Sequence, residues 1–420
     1  GCYGSADSKT PNIDKLAEQG MKFTRCYQAA PMCSPTRHNI YTGIYPVKTG
    51  AYPNHTRAID GTESIVQYLQ PLGYRVALSG KRHISPEEVF PFEYLGKGRN
   101  PDFELVEEFL AKVKKNKEPF ALMLTSNEPH TPWNKGDVNL FDLSEIQLPP
   151  NYVDTKETRE AFRKYLAEIN YLDGQVGKAL ELLEKYNFED NTLVIFASEQ
   201  GNAFPFAKWT LYEAGIKSAL IARYPGVIEP GTVSDVIVEY TDLLPTFIDL
   251  AGGVSPGKLD GKSLVPVFQD PENVIKEHSY GIHTTRGIFF GSDHFGIRSV
   301  VNDNFRYIWN LSPNTAFLNA ANNNENPSEW HSSWEEAALN SSEALTLVRK
   351  YKFRPEHELY DVKNDKWCMN NLADNPKYEE IKKKLRAELL NWMALCGDKG
   401  QETEMEAYEN MPGHHEADDE

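Results

Sequence analysis

The chain has 420 residues, of which 40% are hydrophobic and 25% charged, a composition that fits two soluble globular domains with a large core. Its 44 basic and 61 acidic residues leave a formal charge of −17. That charge excludes broad nucleic-acid binding and a long basic groove for an anionic polymer, although a local Lys, Arg and His cluster can still hold one end of a polyanion. No apolar run reaches the roughly 18 residues of a membrane span. The chain opens at Gly1 without a methionine and close to a motif, which predicts that an N-terminal segment has been removed or left out.

Thr10-Pro11, followed by Ile13, Leu16 and Gly20, predicts a short helix with a Thr cap, Pro at its first position and a Gly stop. Phe120 to Thr125 is a short apolar run that ends in Ser126-Asn127-Glu128-Pro129-His130, the pattern of a buried strand delivering a loop. From Thr158 to about Tyr186, Phe162, Leu166, Ile169, Leu172, Val176, Leu180 and Leu183 recur at helical spacing. A second buried strand follows at Thr192 to Ala197 and ends in Ser198-Glu199-Gln200-Gly201. Strand, loop, helix and strand in that order predict an α/β domain over residues 1–290 with a mainly parallel sheet, and a ligand site beyond the carboxyl ends of its strands. Residues 291–420 read as a smaller α+β domain. It has a hairpin from Ile297 to Trp309 turning at Asn302-Asp303-Asn304, a long polar loop from Asn319 to Ser342, and a helix from Lys377 to Leu395. The acidic stretch from Gln401 to Glu420 reads as disordered in isolation.

The five cysteines, Cys2, Cys26, Cys33, Cys368 and Cys396, include no CxxC pair, which argues against zinc. Their odd number leaves at least one thiol unpaired, and a Cys368–Cys396 disulfide stays open. One cysteine stands in the run Cys33-Ser34-Pro35-Thr36-Arg37, with Thr42-Gly43 behind it. Cys33 and Arg37 are too close together for a tyrosine-phosphatase loop. Taken alone, Cys33 would be read as a buried structural thiol, but the five-residue run is specific. It resembles the sulfatase signature Cys-x-Pro-x-Arg, in which a modifying enzyme converts the cysteine to formylglycine.

The resemblance extends along most of the chain. Thr10-Pro11-Asn12-Ile13-Asp14 looks like the helix that precedes the sulfatase nucleophile, and Gly80-Lys81-Arg82-His83 like the Gly-Lys-x-His element. Glu128-Pro129-His130 looks like the Pro-His loop, and Lys208-Trp209-Thr210-Leu211-Tyr212-Glu213 like the lysine segment. Tyr224-Pro225-Gly226 stands for Trp-Pro-Gly. The run Gly80 to Phe92, Phe204-Pro205-Phe206, Ile297-Arg298-Ser299-Val300 and Phe305-Arg306 resemble the heparan N-sulfatase (sulfamidase) branch. The Phe204 and Phe206 pair also reads as plain core packing. The resemblance implies an alkaline-phosphatase-like α/β fold.

It also implies roles for particular residues. A sulfate ester or sulfamate is an anion, so fixed cations must offset the approach of a nucleophile, and Arg37, Lys81 and Lys208 are the candidates. Arg37 is also placed to orient the formylglycine hydroxyl. The hydrate of formylglycine, formed from Cys33, supplies the nucleophilic oxygen; His83 is the candidate base and His130 the candidate acid. Arg298 and His294 are candidates for substrate binding. Sulfatases hold a divalent cation, usually calcium, through oxygen ligands. Here these would be Glu199, Gln200 and the oxygen at Cys33. Glu199 and Gln200 are each one methylene longer than the usual Asp and Asn, a shift of roughly 1.5 Å. Two further aspartates are expected upstream of Gly1. The implied partners are a sulfated saccharide and a formylglycine-generating enzyme, and the implied location is exported, periplasmic or lysosomal. The expected substrate is the N-sulfate of glucosamine in a heparin-type glycan. The alternatives are an O-sulfatase on a sulfated glycan and a catalytically silent glycan-binding relative.

Overall fold

The structure, a computed structural model, describes residues 1–411. Two sheets form the larger part of the molecule. The first has the order β5-β6-β1-β7, with β8 continuing beside β1: β1 is Met21–Tyr27, β5 Val194–Ala197, β6 Lys217–Arg223, β7 Thr232–Ser234 and β8 Val238–Glu239. The second is a parallel sheet with the order β3-β2-β4, in which β2 is Arg75–Gly80, β3 Glu93–Tyr94 and β4 Phe120–Thr125. The expected parallel pairing holds in the second sheet. In the first it is broken by β6, which runs antiparallel to both β5 and β1. Antiparallel neighbours need no crossover helix, and residues 198–212 between β5 and β6 form a long loop that ends in one helical turn, Glu213–Ile216.

Both predicted buried strands are present, and each stands at the edge of its sheet. Among the described residues, the facing edges of β4 and β5 have no strand partner. Between them lies a cavity of about 510 Å³, lined on its apolar side by Leu122, Leu124, Val176, Leu180, Val194 and Phe196. This explains why every residue of β4 and β5 is only half-buried.

The predicted helices form with small shifts. The first spans Pro11–Glu18 with Pro at its start. Thr10 sits at the cap position, but its hydroxyl donates to Asp14 instead of accepting a backbone N–H. The capping carboxylate comes from Asp173 on the long helix Lys156–Lys185, which accepts the N–H of Ile13 at 2.8 Å and of Asn12 at 3.2 Å. That long helix is capped by the Thr155 hydroxyl, which accepts from Thr158 N at 3.1 Å.

The smaller unit is an antiparallel sheet of order β12-β11-β10-β9: β9 is Ser279–His283, β10 Ile297–Val301, β11 Phe305–Asn310 and β12 His357–Asp361. Its first strand lies before residue 290, so the expected boundary between 1–290 and 291–420 cuts through this sheet. The hairpin turns as predicted, because Asn302 Oδ1 accepts the N–H of Asn304 and of Phe305 at 3.0 and 2.8 Å. The helix Glu379–Cys396 packs Leu385, Leu389 and Trp392 onto this sheet. The expected loop from Asn319 to Ser342 instead contains a helix, Glu329–Ala338. Its Trp334 is fully buried and its indole N–H donates to Thr158 Oγ1 at 2.8 Å, a tertiary anchor that the polar composition hides. The acidic tail is ordered at its start: Gln401–Met405 is helical, and the Thr403 carbonyl accepts from the Tyr52 hydroxyl at 2.7 Å. The expectation of disorder from residue 412 onward lies outside the described residues. All five cysteines are free, including Cys368 and Cys396.

A buried ion pair joins the two units. Arg306 on β11 donates to Glu213 Oε1 through Nε at 2.8 Å and through NH2 at 2.6 Å, and both side chains are out of solvent. Replacing Arg306 with Met leaves Glu213 buried with Lys217, at 3.7 Å, as its one remaining cation among the described residues. The expected loss in urea unfolding is about 3–5 kcal/mol, and R306M/E213M should recover most of it, because removing both charges abolishes the unpaired one.

Candidate active site

The Cys33–Arg37 run opens a helix, Cys33–Thr42, directly behind β1. Met32, its cap, is extended and no side chain caps the first turn, so the positive end of the helix lies at Cys33. Nine of the ten residues of this helix are buried, Ile40 being the exception. Positions four apart lie on one helix face, which turns Cys33 and Arg37 to the same side.

Three loops at strand ends complete the site. The loop after β2 carries Lys81 and His83. Gly80 is required there: its φ is +103°, and a Cβ would lie 2.0 Å from the Thr125 carbonyl oxygen. The Lys81 carbonyl accepts from Arg37 NH1 at 2.8 Å, which fixes the guanidinium. The loop after β4 carries His130. The loop after β5 carries Glu199 and Gln200 and then Lys208. It turns back tightly at Gly201, where a Cβ would meet the Ala214 carbonyl oxygen at 1.9 Å. Phe206 and Trp209 both adopt positive φ, 67° and 68°, on either side of Lys208. Such backbone strain persists only where packing over-determines it. Here Phe204 and Phe206 are buried in the aromatic core, with the Phe204 ring stacked on Trp133 at 5.2 Å, and Trp209 N donates to the Pro31 carbonyl at 3.1 Å. The Phe204–Phe206 pair is therefore core packing that aims Lys208.

The structure brings eight of the sequence-predicted residues together: Cys33, Arg37, Lys81, His83, His130, Glu199, Gln200 and Lys208. Gln200 Nε2 donates to Cys33 Sγ at 3.2 Å, and the Glu199 carboxylate pairs with the Arg37 guanidinium. Lys208 Nζ lies 3.1 Å from His130 Nε2. His130 Nδ1 is 2.6 Å from the Thr131 carbonyl, which can only accept, so Nδ1 carries a hydrogen and Nε2 faces the lysine. Burial by itself would raise the Cys33 thiol. The charges of Lys208 and Lys81, with His130 and His83 beside the sulfur, outweigh that and hold it well below its ordinary value. Burial lowers Lys81, partly offset by Cys33, and pushes His83 down to about 4. Glu199 is raised, because burial outweighs the Arg37 charge.

Arg298 and His294 are placed elsewhere. Arg298 is fully buried on β10 and paired with Asp398, with a further bond to the His283 carbonyl at 3.3 Å. It is a structural cation of the small sheet and meets no solvent-borne substrate. His294 sits beside the Arg286 guanidinium, with its ring 6.1 Å from that of Tyr408. One residue was missed. His55 Nδ1 is 3.1 Å from His83 Nε2, with ring centroids 4.7 Å apart. It stands in Pro53-Asn54-His55-Thr56-Arg57, a run with no apolar periodicity and no catalytic motif to mark it.

Among the described residues no group of three or more His, Cys, Asp or Glu side chains is arranged to hold a metal. Glu199 and Gln200 nevertheless fit a hard cation in chemistry. Gln200 Oε1 is buried without a hydrogen-bond donor, and the Glu199 carboxylate lies beside it in sequence and near Cys33 in space. They supply fewer oxygens than the six to eight that calcium takes.

A cysteine at the head of a helix, ringed by cations at the strand ends of an α/β sheet, with an antiparallel unit behind it, fits a hydrolase for anionic esters of the alkaline-phosphatase-like type. The chain belongs to the sulfatase family, hydrolases of sulfate esters or sulfamates. The sulfatase family model matches residues 1–254, and the model for the C-terminal part of N-sulphoglucosamine sulphohydrolase matches residues 201–343. An ulvan-active sulfatase of Formosa agariphila is 32% identical over 95% of this chain and 78% of its own. Human N-sulphoglucosamine sulphohydrolase is 24% identical over 93% of this chain and 86% of its own. A protein solved in complex with its substrate D-glucosamine-2-N,6-O-disulfate shares the fold, with a TM-score of 0.71, 19% identity and 96% coverage of both chains. No described helix is long and apolar enough to cross a membrane.

In protein whose Cys33 is left unmodified, thiolate ultraviolet absorbance should persist well below the ordinary thiol range and vanish in Cys33→Ala. Lys81→Met or Lys208→Met should move that titration upward, since each removes a charge that favours the thiolate.

Proposed function

We propose that the chain is a formylglycine-dependent sulfatase that removes sulfate from a carbohydrate, with Cys33 as the precursor of the nucleophile. The observation that carries this reading is the convergence of Lys81, Lys208, His83 and His130 on the Cys33 sulfur. The hydrated aldehyde would supply the nucleophilic oxygen. A calcium-like ion held by Glu199 and Gln200 would polarise the sulfuryl group.

The chain's own residues then have distinct tasks. Arg37, Lys81 and Lys208 bind the sulfuryl oxygens and lower the cost of bringing a nucleophile to an anion. Arg37 is held by the Lys81 carbonyl and by Glu199, so it arrives already oriented. His83, neutral at neutral pH because burial pushes it to about 4, is free to take a proton, and His55 fixes its ring. Lys208 and His130 share a hydrogen bond and form a proton-donating unit for the departing oxygen or nitrogen. The same reading implies maturation by a formylglycine-generating enzyme and an exported location.

Two substrate classes compete. The N-sulfate of glucosamine is supported by the C-terminal family match and by the human relative. An O-sulfated polysaccharide of the ulvan kind is supported by the higher identity of the Formosa relative over nearly the whole chain, and we favour it on that ground.

The test uses formylglycine-loaded protein, confirmed by mass spectrometry of the Cys33 peptide, on ulvan oligosaccharides, N-sulfoglucosamine, and 6-O- and 2-O-sulfated saccharides. Sulfate release from ulvan oligosaccharides ahead of N-sulfoglucosamine is expected. The reverse order restores the N-sulfate reading. No release from any of them, with the aldehyde present, leaves the glycan-binding alternative. Cys33→Ala should fold and lose turnover by at least about 10³-fold, and substantial residual activity would sink the nucleophile assignment.

A further inference from the structure

The loop from Glu128 to Lys135 carries His130, and one side chain on a distant helix closes it. Glu168, on the helix Lys156–Lys185, is fully buried. Its Oε1 accepts the backbone N–H of Asn134 at 2.6 Å and of Lys135 at 2.8 Å. Its Oε2 is buried and receives no N–H, and the acid beside it is Glu128. Glu128 is itself buried at the start of the loop, where its Oε1 accepts from Lys135 Nζ at 2.6 Å and from Asn100 Nδ2 at 2.9 Å. A single carboxyl group therefore holds the last two residues of the loop, and Lys135 in turn bonds the carboxylate of Glu128 at its start. Two carboxyl groups in such contact are stable when they share one proton.

We propose that Glu168 is a positioning residue for His130: as a neutral acid it donates its proton to the Glu128 carboxylate and clamps both ends of the Pro129-His130 loop, which keeps His130 against Lys208 and Cys33. This rests on the reading of His130 as part of the proton-donating unit.

The charge balance agrees with the geometry. Burial pushes the Glu168 carboxyl up to about 7; the N–H bonds from Lys135 and Asn134 oppose this, and the hydrogen bond and charge of Glu128 add to it. Burial would also raise Glu128, but Lys135, Asn100 and the Glu168 proton hold it below its ordinary value. The charged and titratable groups facing the pair are Lys135 on the loop and, beyond it, Tyr171 on the Glu168 helix, whose ring lies 5.5 Å from Lys135 Nζ. Loss of the shared proton sets two buried carboxylates against one lysine and loosens the loop.

The experiment compares full-length, formylglycine-loaded wild type with Glu168→Gln and Glu168→Ala, on whichever sulfated saccharide the wild type turns over. Gln can donate to Glu128 and accept from Asn134 and Lys135 without titrating. Glu168→Ala should lower kcat by about tenfold or more with little change in KM, as expected for a misplaced catalytic group. Glu168→Gln should restore kcat and lose the decline of the wild type above about pH 7. Two readouts need no turnover. A protonated-carboxyl band titrating near neutral pH should appear in the infrared difference spectrum of the wild type and be missing in Glu168→Gln. A carboxyl raised on folding also makes stability fall as pH rises between about 4.5 and about 7, so the Tm of the wild type should fall more steeply across that window than that of Glu168→Gln. Wild-type kcat in Glu168→Ala, or an unchanged infrared band and unchanged pH slopes in Glu168→Gln, would overturn the proposal. If Glu168→Ala does not fold, the Glu168→Gln comparison decides it. A wild type inactive on every saccharide refutes the enzyme reading instead, while the infrared and Tm results still judge the clamp.

Discussion

Arg37, Lys81 and Lys208 converge on the positive end of the helix that starts at Cys33, with His83 and His130 beside them. Positive groups so close together, away from water, repel one another strongly. The arrangement holds because anions offset them: the Glu199 carboxylate against Arg37 and, in the unmodified chain, a thiolate at Cys33. A site that binds cations together only around an anion is already complementary to a sulfuryl group. The same cations hold Cys33 down, while burial, with Arg37 and Lys208 adding to it, lowers Lys81.

Most of the surrounding structure keeps those charges in place. The strand-end loops bond within themselves and are also held from outside. The Lys208 loop is strained at Phe206 and Trp209, and it is held by the aromatic core and by the Arg306–Glu213 pair reaching from the small sheet. Arg37 is fixed by a carbonyl of the β2 loop, and the His130 loop is closed by a carboxyl of the long helix. The small antiparallel sheet therefore acts as a brace for the catalytic loops rather than as an independent module.

The parts of the site that were legible are those written in contiguous residues. Cys33 to Arg37, Lys81 with His83, and Glu199 with Gln200 are each a local run on one element, so spacing translates directly into facing side chains. His55 was missed because its partner His83 is 28 residues away and no periodicity links them. Arg298 was misread because a cation in a recognised run looks the same whether it meets a ligand or a buried aspartate one hundred residues on. The helix Glu329–Ala338 was taken for a loop because its two tryptophans anchor on distant partners, while its polar composition dominates locally.

By itself the sequence determined the family, and it located two of the strands, the long helix between them and the hairpin of the small sheet, because these depend on short-range pattern: apolar runs, helical spacing and one five-residue motif. Tertiary structure decided what depends on contacts between distant segments. It turned β6 antiparallel between β5 and β1, gave the cap of the first helix to Asp173 instead of Thr10, and assigned Phe204 and Phe206 to packing. It also set the protonation of the site, since burial and the charges of residues from the Cys33 helix and separate strand-end loops, not the residue types themselves, decide how far Cys33, His83 and Glu199 move from their ordinary values.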